Sequence, residues 1–372
     1  MDKEKIFVTK ALLPSYEAYC EMLRDIWDSH WLTNNGKYHK ELTERLEEYL
    51  KVPYLTLLCN GHMSLELAIQ ALGLCGEVIT TPFTFASTAH AIARSGLTPV
   101  FCDINYRDYT IDVTQIEKMI TEKTTAILPV HVYGSVCDVE AIEEIAKKHG
   151  LKVLYDAAHA FGVSYKGKGV GMYGDASVFS FHATKVFNTI EGGAVVTKNK
   201  EMAEKLRYLR NFGIQSEEEI AYIGANAKMN EFQAAMGLCN LQQINSAIRA
   251  RGQVIRHYRE RLYGQKGIVL LQQQKEASSN YAYMPVLFTE EFGADRDEIY
   301  SRLKEEGIYS RKYFYPLLNT LECYKGVARS GATPVAEYVS RHILTLPVDP
   351  SLTEEQIDRI CEQILKCRME AK

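Results

Sequence analysis

The stretch EVITTPFTFASTAHAIARSGLTPVFCDI, residues 77–104, decides the fold. EVITTP and TPVFCDI are short apolar runs bounded by turn residues. Between them ASTAHAIARSG repeats its apolar side chains at helical spacing and stops at a glycine. Strand, helix and strand in succession is the repeating unit of a parallel sheet. The same alternation extends in both directions. Upstream, LTLLCN reads as a strand and HMSLELAIQALGL as a helix. Downstream follow DVTQIEKMITEK (helix), TTAILPVHVY (strand), DVEAIEEIAKKHG (helix) and KVLYDAAH (strand). The pattern predicts an α/β fold, a mostly parallel sheet covered on both faces by helices. ASVFSF and GGAVVTK read as two further strands with a loop between them.

A long helical region from about Asn230 to Leu262 ends this regime. The segments after it, IVLLQQQ, AYMPVLF, RDEIYSRLKEEG and EEQIDRICEQILK, suggest a small α+β domain. The boundary is placed near residue 248, inside the long helix. That gives a large domain over 1–248, with an N-terminal arm, and a small C-terminal domain over 249–372. No internal repeat is visible.

At 372 residues, 46% hydrophobic and 24% charged, the chain can bury a large core, and it has no low-complexity tract. A net charge of -4 supplies no basic field for nucleic acid or an anionic membrane, so neither is expected as a partner. The nine cysteines are odd in number, lie mostly in apolar runs and include no C-x-x-C, which suggests buried free thiols and no metal site. MDKEKIFVTK lacks the apolar stretch of a signal peptide, and no apolar run reaches the roughly 18 residues that span a bilayer. A cytoplasmic protein is expected.

GVGMYG, residues 169–174, matches the G-x-G-x-x-G of dinucleotide-binding proteins, but in the wrong context. That fingerprint follows a strand and opens a helix. Here a polar turn, SYKGKG, precedes it and a strand-like run follows, so a tight turn is expected instead.

SFHATKVFNTIEGGAVVT, residues 180–197, carries a single lysine, Lys185, in the loop between two strands. Asp156 closes the strand of KVLYDAAH. In open parallel sheets ligands bind at the carboxyl ends of the strands. An aspartate there can pair with a protonated pyridine nitrogen and a lysine can form a Schiff base, the minimal equipment for pyridoxal phosphate chemistry. An amine with that role must be neutral, so its pKa must fall below the ordinary value of about 10.4. By spacing alone an aspartate and a lysine so placed are more often a surface pair.

YDAAHAFGVSYKGKGVGMYGDASVFSFHATKVFNTIEGGAVVTKN resembles, nearly end to end, the core of the DegT/DnrJ/EryC1/StrS sugar aminotransferases. The likeness extends through EVITTPFTFASTAHAIARSGLTPVFCDI and TTAILPVHVYGSVCDVEAI, and onward through RNFG, GANAKMNEFQAAMG and LTLPVDPSLTEEQI. It implies the fold type I of pyridoxal 5'-phosphate enzymes and a homodimer with shared active sites. The implied substrates are nucleotide-linked ketosugars, with L-glutamate as donor and 2-oxoglutarate as its product. WDSHWLTNNGKYHKELTERLEEYLKVPYL and FSFHATK are most similar to the enzymes that aminate the 4-keto position of dTDP-4-keto-6-deoxyglucose in deoxysugar biosynthesis. A 3-keto or UDP-linked substrate is the alternative within the family, and a catalytically silent binding module the alternative outside it.

By this resemblance Lys185 carries the cofactor; some relatives that act as dehydratases have histidine there. Asp156 takes the pyridine nitrogen. His159 stands where most relatives have a glutamine bonding the cofactor's 3-hydroxyl, a bond that imidazole can also make. Phe85 matches the aromatic residue stacked on the ring. The phosphate is expected where CNGHMSLELAI enters its helix, at Gly61 and the backbone amides of His62 and Met63, with Ser180 supplying a hydroxyl. His62 replaces the family's usual threonine. Asn226 matches a residue that reaches the partner subunit's phosphate, and Lys228 beside it is expected in a structural ion pair. His182, Tyr313, Tyr315 and Trp31 are candidates for the sugar-nucleotide pocket.

Overall fold

The computed structural model describes residues 4–370. The chain opens with two helices, α1 (Tyr16–Ser29) and α2 (Lys37–Leu50). Ser15 caps α1 by accepting from the Ala18 amide at 3.2 Å. Tyr38, Leu42, Leu46 and Leu50 recur every fourth residue along α2 and form its buried face. The alternation then runs β1 (Tyr54–Leu58), α3 (Gly61–Ala71), β2 (Glu77–Thr80), α4 (Ala86–Arg94), β3 (Thr98–Phe101) and α5 (Val113–Met119). It continues with β4 (Thr124–Ile127), α6 (Val139–His149) and β5 (Lys152–Asp156). A small hairpin, β6 (Ser164–Tyr165) and β7 (Lys168–Gly169), leads into β8 (Ala176–Ser180), β9 (Gly193–Thr197) and α7 (Lys200–Leu209). The long helix α8 (Glu231–Leu262) starts at a capping box between Asn230 and Gln233.

The remainder comprises β10 (Ile268–Leu270), β11 (Met284–Phe288), α9 (Arg296–Glu305), β12 (Arg329–Ser330), α10 (Pro334–His342), β13 (Ile343–Leu346) and α11 (Glu354–Glu370). β10, β11 and β13 form a separate antiparallel sheet packed on α8, α9 and α11. Two segments cross the division suggested at residue 248. Ile6 bridges to Ile308 and joins the core of the C-terminal part, while β12 returns to pair with β3 at the edge of the large sheet.

The large sheet has eight strands in the order β1-β9-β8-β5-β4-β2-β3-β12. It is parallel except for β9, which runs against both its neighbours. Both faces are covered, so successive residues of one strand enter different cores. In β5, Val153 and Tyr155 join the core under α2 and α8, and Leu154 joins the core under α3 and α7. This is why the strands read as continuous apolar runs.

The strand expected over TTAILPVHVY stops at Ile127. Pro129 has no N–H for a ladder, and its carbonyl instead accepts from the Asp156 amide at 2.9 Å. GVGMYG is a turn: it follows the β6–β7 hairpin and leads into β8, and Gly174 adopts φ 69°. A Cβ at Gly174 would stand 2.8 Å from the Val153 carbonyl oxygen, so only glycine fits there. No disulfide forms among the described residues; Cys75 and Cys323 are exposed and five cysteines are buried. Among the described residues, no helix is long and apolar enough to cross a membrane and no cluster of His, Cys, Asp or Glu is arranged to hold a metal ion.

Candidate active site

The carboxyl ends of β1, β2, β5 and β8 open into one cavity of about 380 Å³. Gly61, His62, Phe85, Asp156, His159, Ser180, His182, Lys185 and Tyr313 all line it. Met63, Asn226, Tyr315 and Trp31 do not.

Asp156 ends β5 and is buried. Its Oδ2 accepts from Thr88 Oγ1 at 2.8 Å and its Oδ1 from the Ala158 amide at 3.1 Å. Burial pushes its pKa up, while these two bonds and the nearby Lys185 pull it down. Lys185 sits in the loop between β8 and β9. Its amide donates to the His182 carbonyl at 2.8 Å, and the two residues that follow it, Val186 and Phe187, are buried. Phe187 stacks on Phe161 at 4.5 Å and meets the edge of Phe181 at 5.0 Å, which fixes the loop below the lysine. Burial lowers the Lys185 pKa; Asp156 opposes that shift and Arg311 adds to it.

His159 is buried, and its Nδ1 accepts from the Tyr133 amide at 3.1 Å. Burial, helped by the lysine's charge, holds its pKa well below the ordinary range. The ring is therefore neutral with its proton on Nε2.

At the other end of the cavity α3 begins. The Asn60 side chain accepts from the Met63 amide at 2.8 Å, so that amide is spent on the helix cap and points at no ligand. The expectation of a Met63 contact is corrected accordingly. The amides of Gly61 and His62, in the first turn, have no carbonyl within the helix to bond. A Cβ on Gly61 would lie 2.8 Å from Ser180 Cβ, so the glycine keeps a recess open between helix and strand. His62 spends both ring nitrogens inside the protein: Nδ1 on Ser87 Oγ at 2.7 Å and Nε2 on Glu66 Oε1 at 3.0 Å. Phe85 lines the cavity and is 56% exposed, whereas neighbouring Phe83 is core.

His182 is exposed at the mouth, bonded to Thr184 Oγ1 at 2.9 Å and 3.5 Å from Glu191. Tyr313 accepts, through its carbonyl, a bond from the Tyr133 hydroxyl. Tyr315 lies away from the cavity, with Arg296 over its ring at 5.0 Å. Trp31 lines a second hollow of about 600 Å³ with His39 and Arg210. Asn226 is on the surface. Among the described residues Lys228 forms no ion pair: its amine donates to Asn211 at 2.6 Å and Asn226 at 3.2 Å, above the Phe212 ring.

Sequence reading missed Thr88, Ser87, Tyr133, Glu191 and Arg311. Thr88 did leave a signal, as a polar residue on the apolar face that α4 buries with Ala89, Ala91 and Ile92. Arg311 left none, since it comes from the C-terminal part of the chain.

The model of the DegT/DnrJ/EryC1/StrS aminotransferase family matches residues 16–365. A dTDP-4-amino-4,6-dideoxy-D-glucose transaminase of Shigella dysenteriae is 43% identical over 362 residues, covering 97% of this chain and 99% of that one. A UDP-N-acetyl-3-dehydro-alpha-D-glucosamine 3-aminotransferase of Acidithiobacillus ferrooxidans is 38% identical over 310 residues, 82% of each chain. Among solved structures, DesI in the presence of its TDP-sugar product superposes with a TM-score of 0.94 at 35% identity, covering 99% of this chain and 94% of that one. With a mostly parallel sheet opening on a cavity that holds both Asp156 and Lys185, this chain belongs to the DegT/DnrJ/EryC1/StrS aminotransferase family.

Proposed function

We propose that the protein is a pyridoxal 5'-phosphate-dependent aminotransferase that moves an amino group from L-glutamate to dTDP-4-keto-6-deoxyglucose, giving dTDP-4-amino-4,6-dideoxyglucose. The observation that carries the chemistry is the convergence of Asp156 and Lys185 on one cavity. The choice of sugar rests on the 43% identical relative, which matches more of the chain than the UDP-sugar enzyme does.

The residues present fit the cofactor. The recess that Gly61 keeps open beside Ser180, at the positive end of α3, suits a phosphate. Asp156, oriented by the bonds from Thr88 and Ala158, suits a pyridinium nitrogen. His159 offers an Nε2–H to the ring's oxygen, and exposed Phe85 offers a stacking face. When bound, pyridoxal phosphate supplies an electron-withdrawing ring that stabilises negative charge on the substrate carbon. Lys185 would bind the cofactor, and once released its amine would take a proton from the substrate carbon and deliver it to the carbon on the other side of the transferred nitrogen. Burial lowers the pKa of that amine, which favours the neutral form that accepts a proton.

Exposed Trp27, Phe212, Ile220 and Ile223 support a homodimer, in which Asn226 contributes to the partner subunit's phosphate site. Incubation with L-glutamate and dTDP-4-keto-6-deoxyglucose, read by product NMR, tests the assignment. Conversion of UDP-linked or 3-keto sugars alone would move the substrate within the family.

A further inference from the structure

Glu66, His62 and Ser87 form a hydrogen-bonded chain that ends at the cavity. His62 is the second residue of α3 and Ser87 the second of α4, and both line the cavity, His62 directly after the glycine that keeps the recess open. His62 Nδ1 lies 2.7 Å from Ser87 Oγ, and its Nε2 lies 3.0 Å from Glu66 Oε1, one turn along α3. Arg94 of α4 donates to the same carboxylate oxygen at 2.5 Å. The first turn of α4 serves the cavity twice more, through exposed Phe85 at its N-cap and through Thr88, bonded to Asp156. Hydrogen-bond capacity limits where the protons of the chain can sit. Glu66, paired with Arg94, accepts from His62, so Nε2 carries a hydrogen. Nδ1 then has two states. Bare, it accepts from Ser87 and uses up the only hydrogen of that hydroxyl. Protonated, it donates to Ser87 Oγ and leaves the serine hydrogen free for the cavity. A phosphate dianion only accepts, so Ser87 can bond to one in the second state alone.

We infer that Ser87 donates to the phosphate group of pyridoxal phosphate, and that His62, backed by Glu66, is the positioning residue that frees the serine hydrogen for it, with both ring nitrogens protonated in the complex. The inference rests on the aminotransferase reading above. Behind the ring Glu66 and Arg94 offset each other, and across the cavity Asp156 and Glu191 stand against Lys185 and His182. A phosphate group adds close to two negative charges to this balance and favours the protonated ring. A hydroxyl that threonine at position 62 would itself offer is thereby supplied from the neighbouring helix.

Dissociation constants of the apoprotein for pyridoxal phosphate and for pyridoxal, which lacks the phosphate, separate this role from a simple tie between α3 and α4. Ser87→Ala and His62→Ala are each expected to weaken pyridoxal phosphate about 10- to 100-fold, as for one hydrogen bond to a charged group, and pyridoxal by less than about 3-fold. The double variant should lose about as much as either single one, because both remove the same bond. Nitrogen-15 NMR of the histidine-labelled wild-type holoenzyme at about pH 8, where a free imidazole is neutral, should show hydrogens on both nitrogens of His62. That measurement needs no variant and decides the matter if a substituted protein does not fold. Losses that multiply in the double variant, equal losses for pyridoxal and pyridoxal phosphate, unchanged affinity in Ser87→Ala, or a neutral His62 ring in the complex would each overturn the inference. A wild-type apoprotein that binds neither compound would instead refute the cofactor reading on which it rests.

Discussion

Thr88 Oγ1 donates to Asp156 Oδ2 at 2.8 Å, joining α4 to the end of β5 across 68 residues of sequence. Both side chains are buried, and Thr84 Oγ1 lies 3.0 Å behind the threonine. Burial alone would favour the neutral acid. The Thr88 hydroxyl opposes that shift by favouring the carboxylate form, and it orients the side chain.

Thr88→Val keeps the shape and removes that donor. A hydrogen bond to a charged group contributes roughly 1.5 to 3 kcal/mol, so activity at neutral pH is expected to drop about tenfold to a hundredfold. The Asp156 pKa should rise further, moving the acid limb of the kcat/KM profile to higher pH. An unchanged profile would show that Thr88 is packing only.

Lys185 makes a stability forecast independent of activity. Its folded pKa is lowered from 10.5, so below the folded value the apoprotein bears the full cost of a partly desolvated cation. Between the folded value and 10.5 the unfolded chain binds more protons, and stability rises with pH. Apo Lys185→Met should therefore melt above apo wild type at neutral pH, and the gap should close as pH approaches 10.5. Thermal denaturation across pH checks it. A gap independent of pH would mean that the amine is solvated.

For His159 the expected state is neutral imidazole protonated on Nε2, because Nδ1 accepts from Tyr133. Nitrogen-15 NMR should show that tautomer without titration across roughly pH 6 to 8. His159→Gln, which retains a donor, should keep activity within about tenfold, and His159→Leu should lose clearly more. Equal activity in the two variants would remove the hydrogen-bonding role.

The order of helices and strands up to Thr197 was legible because both faces of the sheet are buried, and burial is what apolar periodicity records. Strand direction is not recorded: GGAVVTK reads like any other buried strand, yet β9 runs against β8 and β1. Asp156 and Lys185 stood out because strand ends are where a parallel sheet binds ligands. The contacts that tune them were not visible, since Thr88 and Arg311 reach the cavity from distant parts of the chain and no local pattern marks a long-range hydrogen bond. Trp31 and Tyr315 show the opposite limit. Each is a prominent aromatic residue, but within the protomer the fold places neither in the cavity with Lys185.

The homodimer is testable through its exposed apolar side chains. Ile223 is 91% exposed, and burying an isoleucine at an interface stabilises by roughly 1.5 to 3 kcal/mol. Ile223→Asp should weaken or abolish the dimer in light scattering while leaving the circular dichroism spectrum intact. For shared sites, mixing inactive Lys185→Ala with Asn226→Ala should restore activity in heterodimers that contain one site free of both defects. No recovery despite demonstrated subunit exchange would exclude a role for Asn226 across the interface.

The most direct measurement is the chemical identity of the modified residue. The purified protein, treated with borohydride and digested, should yield a single pyridoxyl-phosphate-bearing peptide, FHATKVF in sequence context, with the label on Lys185. The visible absorption band should disappear in the same treatment. A protein that binds no pyridoxal phosphate, or one labelled on a different lysine, would contradict the assignment of this cavity as an aminotransferase active site.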